Sequence, residues 1–331
     1  MPEASAAQAS LQPTSRTATG VLFGAGAGAL WGLVFLGPAL LQDTHPLLMT
    51  IGRYLCYGLA SALLLWPRWR KVRASLQARE GWALLQLALV GNVLYYLALS
   101  AAVQAGGIAL TSLIIGFLPV AVTVIGSRDA GAVPLSRLRW PLAWCAAGAL
   151  CIGAQAMGPS AGPASGQLLR STGWGVVLAV CALVAWTWFA VRNSRHLQRL
   201  PAISTHEWNL LTGVMTGALA LLLVPVAVLA LDAGWADVTP RLAAVSVGVA
   251  LAASIVGNAL WNTMSRLLPL TMVGQMILFE TLFALLYGLI WEARWPSPLE
   301  AAAFACVSLG VWTCVAAHRT PPGEPGAIGP L

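Results

Sequence analysis

Gly91–Gly107 reads GNVLYYLALSAAVQAGG, and Gly257–Val273 reads GNALWNTMSRLLPLTMV. Set side by side, the two Gly-Asn pairs coincide and the apolar stretch after each pair aligns without a gap. The match extends outward: ALWGLVF from Ala29 faces VAWTWF from Val184, and RYLCYGLASALLLWP from Arg53 faces VMTGALALLLVP from Val214. The chain reads as two copies of one unit.

What the unit is follows from composition. Of 331 residues, 58% are hydrophobic and 9% charged, and the mean hydropathy is +0.78. These values exclude an ordinary soluble domain and define a polytopic membrane chain. A helix needs about 20 apolar residues to cross the hydrocarbon layer. Ten runs meet that length: Gly20–Leu41, Pro46–Trp66, Trp82–Ala102, Gly107–Ile125, Pro141–Met157, Gly173–Val191, Trp208–Leu231, Leu242–Leu267, Thr271–Trp291 and Leu299–Ala317. The expected fold is therefore all-α, with ten transmembrane helices arranged as two five-helix repeats. Five is odd, so the second copy must enter the bilayer in the opposite sense. The result is an inverted-topology repeat, whose binding site lies near the midplane between the halves.

The expected divisions are a polar tail over 1–19, a first repeat over 20–157, an external linker over 158–172, a second repeat over 173–317 and a second tail over 318–331. Both tails lack the apolar content to fold alone. The first run is long enough to span and lacks the basic lead-in of a cleaved signal, so it reads as a true helix.

Lys and Arg accumulate in cytoplasmic loops. With the N-terminus inside, fourteen basic residues fall in inner segments and three (Arg170, Arg241, Arg294) in outer ones. Both termini are expected in the cytoplasm of a cell with this protein in its plasma membrane, the inner membrane in a bacterium. This topology also explains the net charge of +7 without nucleic acid as a partner. Trp66, Trp82, Trp140, Trp174, Trp208, Trp235 and Trp291 fall at run edges, as an interfacial belt. The six cysteines lie inside apolar runs without CxxC spacing, so they read as small hydrophobes and not as disulfides or metal ligands.

In order along the chain, Trp31-Gly32, Arg53, Pro119 and the segment LIWEARWPSPLEAAAFACVSLGVW with its Glu292 resemble the ten-helix EamA-type members of the drug/metabolite transporter superfamily. The resemblance covers residues 20–317. One departure is Gly126, which stands where the first repeat would match Glu292. The resemblance implies a transporter without a cofactor, working by alternating access on a small-molecule substrate, and its aromatic residues are similar to those of the aromatic amino-acid exporter branch.

The residues themselves point to a polar cavity. Asn92, Tyr96, Ser100 and Gln104 recur every four positions on the third helix, and Ser254, Asn258, Asn262 and Arg266 recur likewise on the eighth, each along one drifting face. The bland reading is interhelical hydrogen bonding, worth about 0.6 kcal/mol per contact. Repetition of the stripe at equivalent positions favours cavity walls. Trp31, Trp186, Trp188 and Trp261 are too deep for the interfacial belt and join the candidate lining as a group. Gly24, Gly28 and Gly32 fit close helix approach, not a dinucleotide loop, since no strand precedes them. Pro119 is expected to bend the fourth helix.

Two charged residues lie well inside expected spans: Arg53 and Glu280. Such a charge costs about 2.5 kcal/mol or more, which makes function the default reading. Arg53 either faces the cavity or snorkels outward. Glu280, roughly 14 Å of helix from the nearer membrane surface, is too short to snorkel and must face the bundle interior. It would carry a proton as coupling ion or meet a cationic substrate group, with Arg53 or Arg266 meeting a carboxylate. An amino acid or similar zwitterion fits that pair. Sugar phosphates, nucleotide-sugars or drugs are the alternative substrates; phosphorylated ones would call for several cavity cations. An intramembrane enzyme is the weaker alternative, because no HExxH, GxSxG or paired aspartates occur and the four histidines lie at helix ends or in loops. Membrane lipid is an obligatory partner, and a homodimer is compatible with the sequence.

Overall fold

The computed structural model describes residues 13–74, 76–129, 132–156, 166–200, 203–291 and 295–318. All regular structure among the described residues is helical. The α-helices are α1 (Pro13–Gly32), α2 (Leu36–Leu40), α3 (Pro46–Leu65), α4 (Trp69–Ala74), α5 (Ala78–Gln86), α6 (Tyr95–Ile115), α7 (Leu118–Gly126), α8 (Arg139–Ala156), α9 (Gly166–Arg199), α10 (Thr205–Leu231), α11 (Pro240–Val249), α12 (Asn258–Leu267), α13 (Leu270–Met276), α14 (Leu278–Trp291) and α15 (Pro298–Ala317). Two π-helical segments, Leu87–Leu94 and Ala250–Gly257, join α5 to α6 and α11 to α12.

Among the described residues, six helical stretches are long and apolar enough to cross a membrane: Arg16–Pro38, Pro46–Ala74, Ala78–Gly106, Gly173–Arg199, Thr205–Leu231 and Pro240–Leu267. Leu270–Ala284 and Ala301–Ala317 are shorter apolar helices. The fifth expected run forms α8, and the fourth is shared between α6 and α7.

Several boundaries differ from expectation. Helix α1 begins at Pro13, within the expected tail, and α9 begins at Gly166, within the expected linker. Residues 1–12, 157–165 and 319–331, and Glu292, lie outside the described residues. Pro119 does not bend a helix interior. It occupies the first turn of α7, where its missing N–H has no intrahelical role, and the break falls just ahead at Gly116 and Phe117. Gly106 packs against Gly175 of α9, and Asp129 pairs with Arg195 of the same helix.

Helix starts are fixed by local chemistry. His45 accepts from the Leu47 N–H ahead of Pro46, Thr239 accepts from Leu242 ahead of Pro240, and Ser204 and Glu207 form a reciprocal capping box.

Small residues set which helices touch. A Cβ on Gly58 would meet the Gly217 Cα at 2.5 Å, so α3 and α10 cross at backbone contact, antiparallel. Gly24, Gly28 and Gly32 lie against Met276, Phe279 and the Ala284 backbone in turn, which makes α1 parallel to α13 and α14. The expected close approach at these glycines is thus present, with its partner identified. Helix α6 also packs on α9, α7 on α13, α8 on α15, and α1 on α12.

Trp208 departs from the expected belt. It is fully buried and donates to Asn193 Oδ1 at 2.9 Å, a partner within the protein that interfacial water would otherwise supply. Trp66, Trp82, Trp140, Trp174 and Trp235 are exposed as expected. Cys181 is exposed on α9, unlike the buried Cys145 and Cys314.

Candidate functional site

The two π-helical segments meet the deep aromatics. Each carries one glycine of the repeated Gly-Asn pair, and each glycine lies under a ring from another helix. Gly91 faces Phe189 of α9 so closely that a Cβ would fall 2.1 Å from the ring, and Gly257 faces Trp31 of α1 at 3.0 Å. A π-turn widens the helix and moves backbone carbonyls off the regular i+4 donor, so that the Asn258 N–H bonds to Ala253 O and Ile255 O and the Tyr95 N–H to Asn92 O, with room for a second donor at each. Side chains serve them here. Trp31 Nε1 donates to Ala253 O and to Asn258 Oδ1, both at 3.1 Å, and Asn209 Nδ2 donates to Ile255 O at 3.0 Å. In the first segment Tyr54 donates its hydroxyl to Asn92 O at 3.0 Å, while Asn92 Nδ2 reaches Thr216 Oγ1 at 2.8 Å.

Between the segments lies a cavity of about 20 Å³, room for a water-sized group. Its walls include Arg53 and Tyr54 from α3, Asn92 and Tyr95 beside the first π-segment, Trp31, Trp186 and Phe189, Asn258, and Glu280. The Arg53 guanidinium donates to Ser254 Oγ through Nε at 3.2 Å and Nη2 at 3.1 Å. Its carbon lies 4.4 Å from the centre of the Tyr96 ring and 5.1 Å from that of Tyr54, a cation held against two π faces. Its Nη1 is buried without a hydrogen-bond partner. Arg53 therefore faces the interior and does not snorkel.

Glu280 is buried, at 5% exposure. The apolar run around it is not one helix interior: the break at Ile277 leaves Glu280 in the first turn of α14, at the favourable end of that helix dipole for an acid. Gly28 makes the close approach of α1 to the Glu280 backbone possible. The one ion pair among the described residues joins Arg195 to Asp129, so Arg53 and Glu280 are not paired with each other.

The aromatic lining is a connected group. Trp31 stacks against Trp261 at 4.8 Å and meets Trp186 edge-on at 5.2 Å, while Trp186 lies 5.3 Å from Trp261. The buried Trp261 N–H has no partner.

Of the residues anticipated from sequence, Trp31, Arg53, Asn92, Trp186, Asn258 and Glu280 line the cavity, with Tyr96 and Trp261 packed directly behind. The others are not brought there. Asn262 accepts from Asn193 at 2.9 Å, Trp188 packs beside Arg192, and Ser100 is buried apart with an unpartnered hydroxyl. Gln104 donates to Thr44 O at 2.8 Å. Arg266 donates to the carbonyls of Leu197, Leu200 and Ile203, closing the α9–α10 connection, and is not available to a central carboxylate. Val34, Tyr54 and Phe189 were not anticipated. For Phe189 a signal existed, since it ends the VAWTWF segment that faces ALWGLVF.

Two larger clefts flank the cavity at opposite ends of the bundle. One, of about 290 Å³, lies between α5 and α9; the other, of about 550 Å³, lies among Asp43, His45, Asp237 and Arg241. No group of three or more His, Cys, Asp or Glu suited to a metal ion occurs among the described residues.

A bundle of membrane-length helices around a charge-bearing cavity defines a polytopic integral membrane protein. A family model described as the EamA-like transporter family matches residues 18–128. Inner membrane protein YtfF of Escherichia coli (strain K12) is 32% identical over 319 residues, covering 93% of this chain and 97% of that protein. The chain belongs to the EamA-like transporter family, as its resemblance at Trp31, Gly32, Arg53 and Pro119 implied. A solved structure, titled only as the crystal structure of a protein, superimposes with a TM-score of 0.69 at 18% identity over 92% of this chain and 99% of that one, a likeness of fold.

Proposed function

We propose that this chain is a secondary transporter that exports an amino acid or related zwitterion across the bacterial inner membrane, with both termini cytoplasmic. The observation that carries the reading is the pair of opposite charges, Arg53 and Glu280, on the wall of one small cavity, with one guanidinium N–H group uncommitted among the described residues. A carboxylate would take the free Nη1, and an ammonium group would face Glu280. The aromatic cluster would cover the substrate side chain. Glu280 is also the natural carrier of a coupling proton, since it is the one carboxylate among the described residues on the cavity wall.

The helix contacts support two inverted five-helix repeats. Exchanging each helix with its counterpart maps the α3–α10 and α8–α15 contacts onto themselves and the α6–α9 contact onto α12–α1. Carriers of that architecture bind at the repeat interface and expose the site alternately to either side. Phosphorylated substrates fit less well, because Arg53 is the only cation on the cavity wall among the described residues.

The test is flux in proteoliposomes. Labelled amino acids should be transported and compete with one another, whereas sugar phosphates and nucleotide-sugars should not. Transport of a sugar phosphate without any amino-acid flux would overturn the assignment.

A further inference from the structure

The cleft between α5 and α9 is not accounted for by transport through the centre. Arg79, Arg192, Arg195 and Arg199 line it, around His196 and beside Trp82. A cytoplasmic bias explains why arginines are frequent at this end, but not why they converge on one cavity of about 290 Å³. Two carboxylates border the cluster, and both are engaged: Asp129 holds Arg195 at 2.6 Å, and Glu80 caps α5 through the Gln77 N–H at 3.0 Å. Four guanidinium groups against two carboxylates leave two positive charges uncompensated. Arg192 gives one N–H to Gln86 at 3.3 Å and lies over Trp188, while Arg79 and Arg199 reach into the cleft from opposite sides.

The cleft does not end at the arginines. Leu89, two turns above Trp82, and Val184, two turns above Arg192, are both exposed, so apolar surface is available further along each of the two segments that form the cleft. A head group with two phosphate oxygens at the arginines and an acyl chain along Leu89 and Val184 matches this division. Arginine suits phosphate because its planar fork makes paired hydrogen bonds.

We propose that this cleft binds the phosphate head group of an anionic phospholipid, clamping α5 to α9 at the basic end of the bundle. The site is separate from the central cavity and shares no lining residue with it.

The experiment uses the full chain purified from nanodiscs made of equal parts phosphatidylglycerol and phosphatidylethanolamine, with retained lipid counted by native mass spectrometry. The parent should retain phosphatidylglycerol selectively. Each of Arg79→Gln and Arg199→Gln should lower that selectivity about fivefold, the weight of one basic residue near an anionic membrane. Neither residue holds a hydrogen-bonded partner among the described residues, and Arg137→Gln, outside the cleft, serves as the control that leaves retention unchanged. A second arm adds inorganic phosphate. If phosphate alone protects the protein thermally, with no lipid selectivity, the site takes a free anion and the lipid assignment falls. Equal retention of both lipids by the parent, or unchanged selectivity in a variant carrying both Arg79→Gln and Arg199→Gln, also overturns it.

Discussion

Arg53 and Glu280 line the same buried cavity without forming an ion pair. Arg53 is held instead by Ser254 and by the faces of Tyr54 and Tyr96, which fixes its position while leaving Nη1 open. Two unpaired opposite charges in a low-dielectric site are costly unless something else completes them.

Completion by the substrate gives the first prediction. Glu280→Gln keeps the volume and removes the charge, so binding of a zwitterionic amino acid should weaken roughly tenfold to a hundredfold, the weight of a hydrogen bond to a charged group. The pH dependence of transport should flatten in the same variant. Isothermal titration and proteoliposome flux at several pH values check both. Identical affinity, rate and pH profile would leave Glu280 with a structural role only.

Arg53 gives a second, distinct outcome. Arg53→Gln should abolish discrimination between an amino acid and its carboxamide, because the free Nη1 is where the carboxylate would sit. Loss of affinity for both compounds in equal measure would place the carboxylate elsewhere.

Orientation is tested with cysteine variants in a background free of the six native cysteines. Arg73→Cys should react with an impermeant maleimide only in inverted vesicles, and Asp237→Cys only in intact cells. An external Arg73→Cys would overturn the cytoplasmic placement of both termini.

The glycine crossing predicts an asymmetry in stability. Gly217→Val places methyl groups where the Gly58 Cα already stands at 2.5 Å from a Cβ, and should cost about 1–3 kcal/mol. Gly248→Ala on α11 meets nothing within 4 Å and should be neutral or gain up to about 1 kcal/mol from helix propensity. Thermal unfolding in one detergent compares the two.

His318, just past α15, sets a pH effect on stability. Thr271 Oγ1 lies 2.6 Å from Nε2, Cys314 O lies 2.8 Å from Nδ1, and burial holds the imidazole below its ordinary value of 6.5. The unfolded chain then binds the proton more readily. The contribution of His318 is full above about 6.5 and is lost as pH falls through the lower folded value. Acidification should lower Tm, and His318→Gln should reduce that slope; unchanged slopes would acquit His318.

The membrane class, the repeated Gly-Asn pair, and the depth of Arg53 and Glu280 were all legible, because hydropathy and charge are written residue by residue. Side-chain direction was not. A four-residue stripe climbs about 6 Å per step, so Gln104 and Arg266 leave the level of the cavity and end at loop carbonyls. Within α12 itself, Asn258 reaches Trp31 while Asn262, one turn further on the same stripe, turns to Asn193. No periodicity announces a π-turn, nor the short break at Ile277 that puts Glu280 at a helix start. Tyr54 escaped notice for a similar reason: it follows Arg53 directly, and neighbours in sequence do not share a helix face.

The glycine contacts have a kinematic consequence. Gly28 and Gly32 bring α1 against the α14 backbone so tightly that the two helices cannot slide past each other, and Gly58 with Gly217 does the same for α3 and α10. Trp31 and Glu280 ride on the first girder, Arg53 and Tyr54 on the second. Any change in the gap between the two charges is therefore a displacement of one girder against the other, and a spectroscopic ruler attached to α1 and α10 would read the opening of the binding site directly, without a probe inside it.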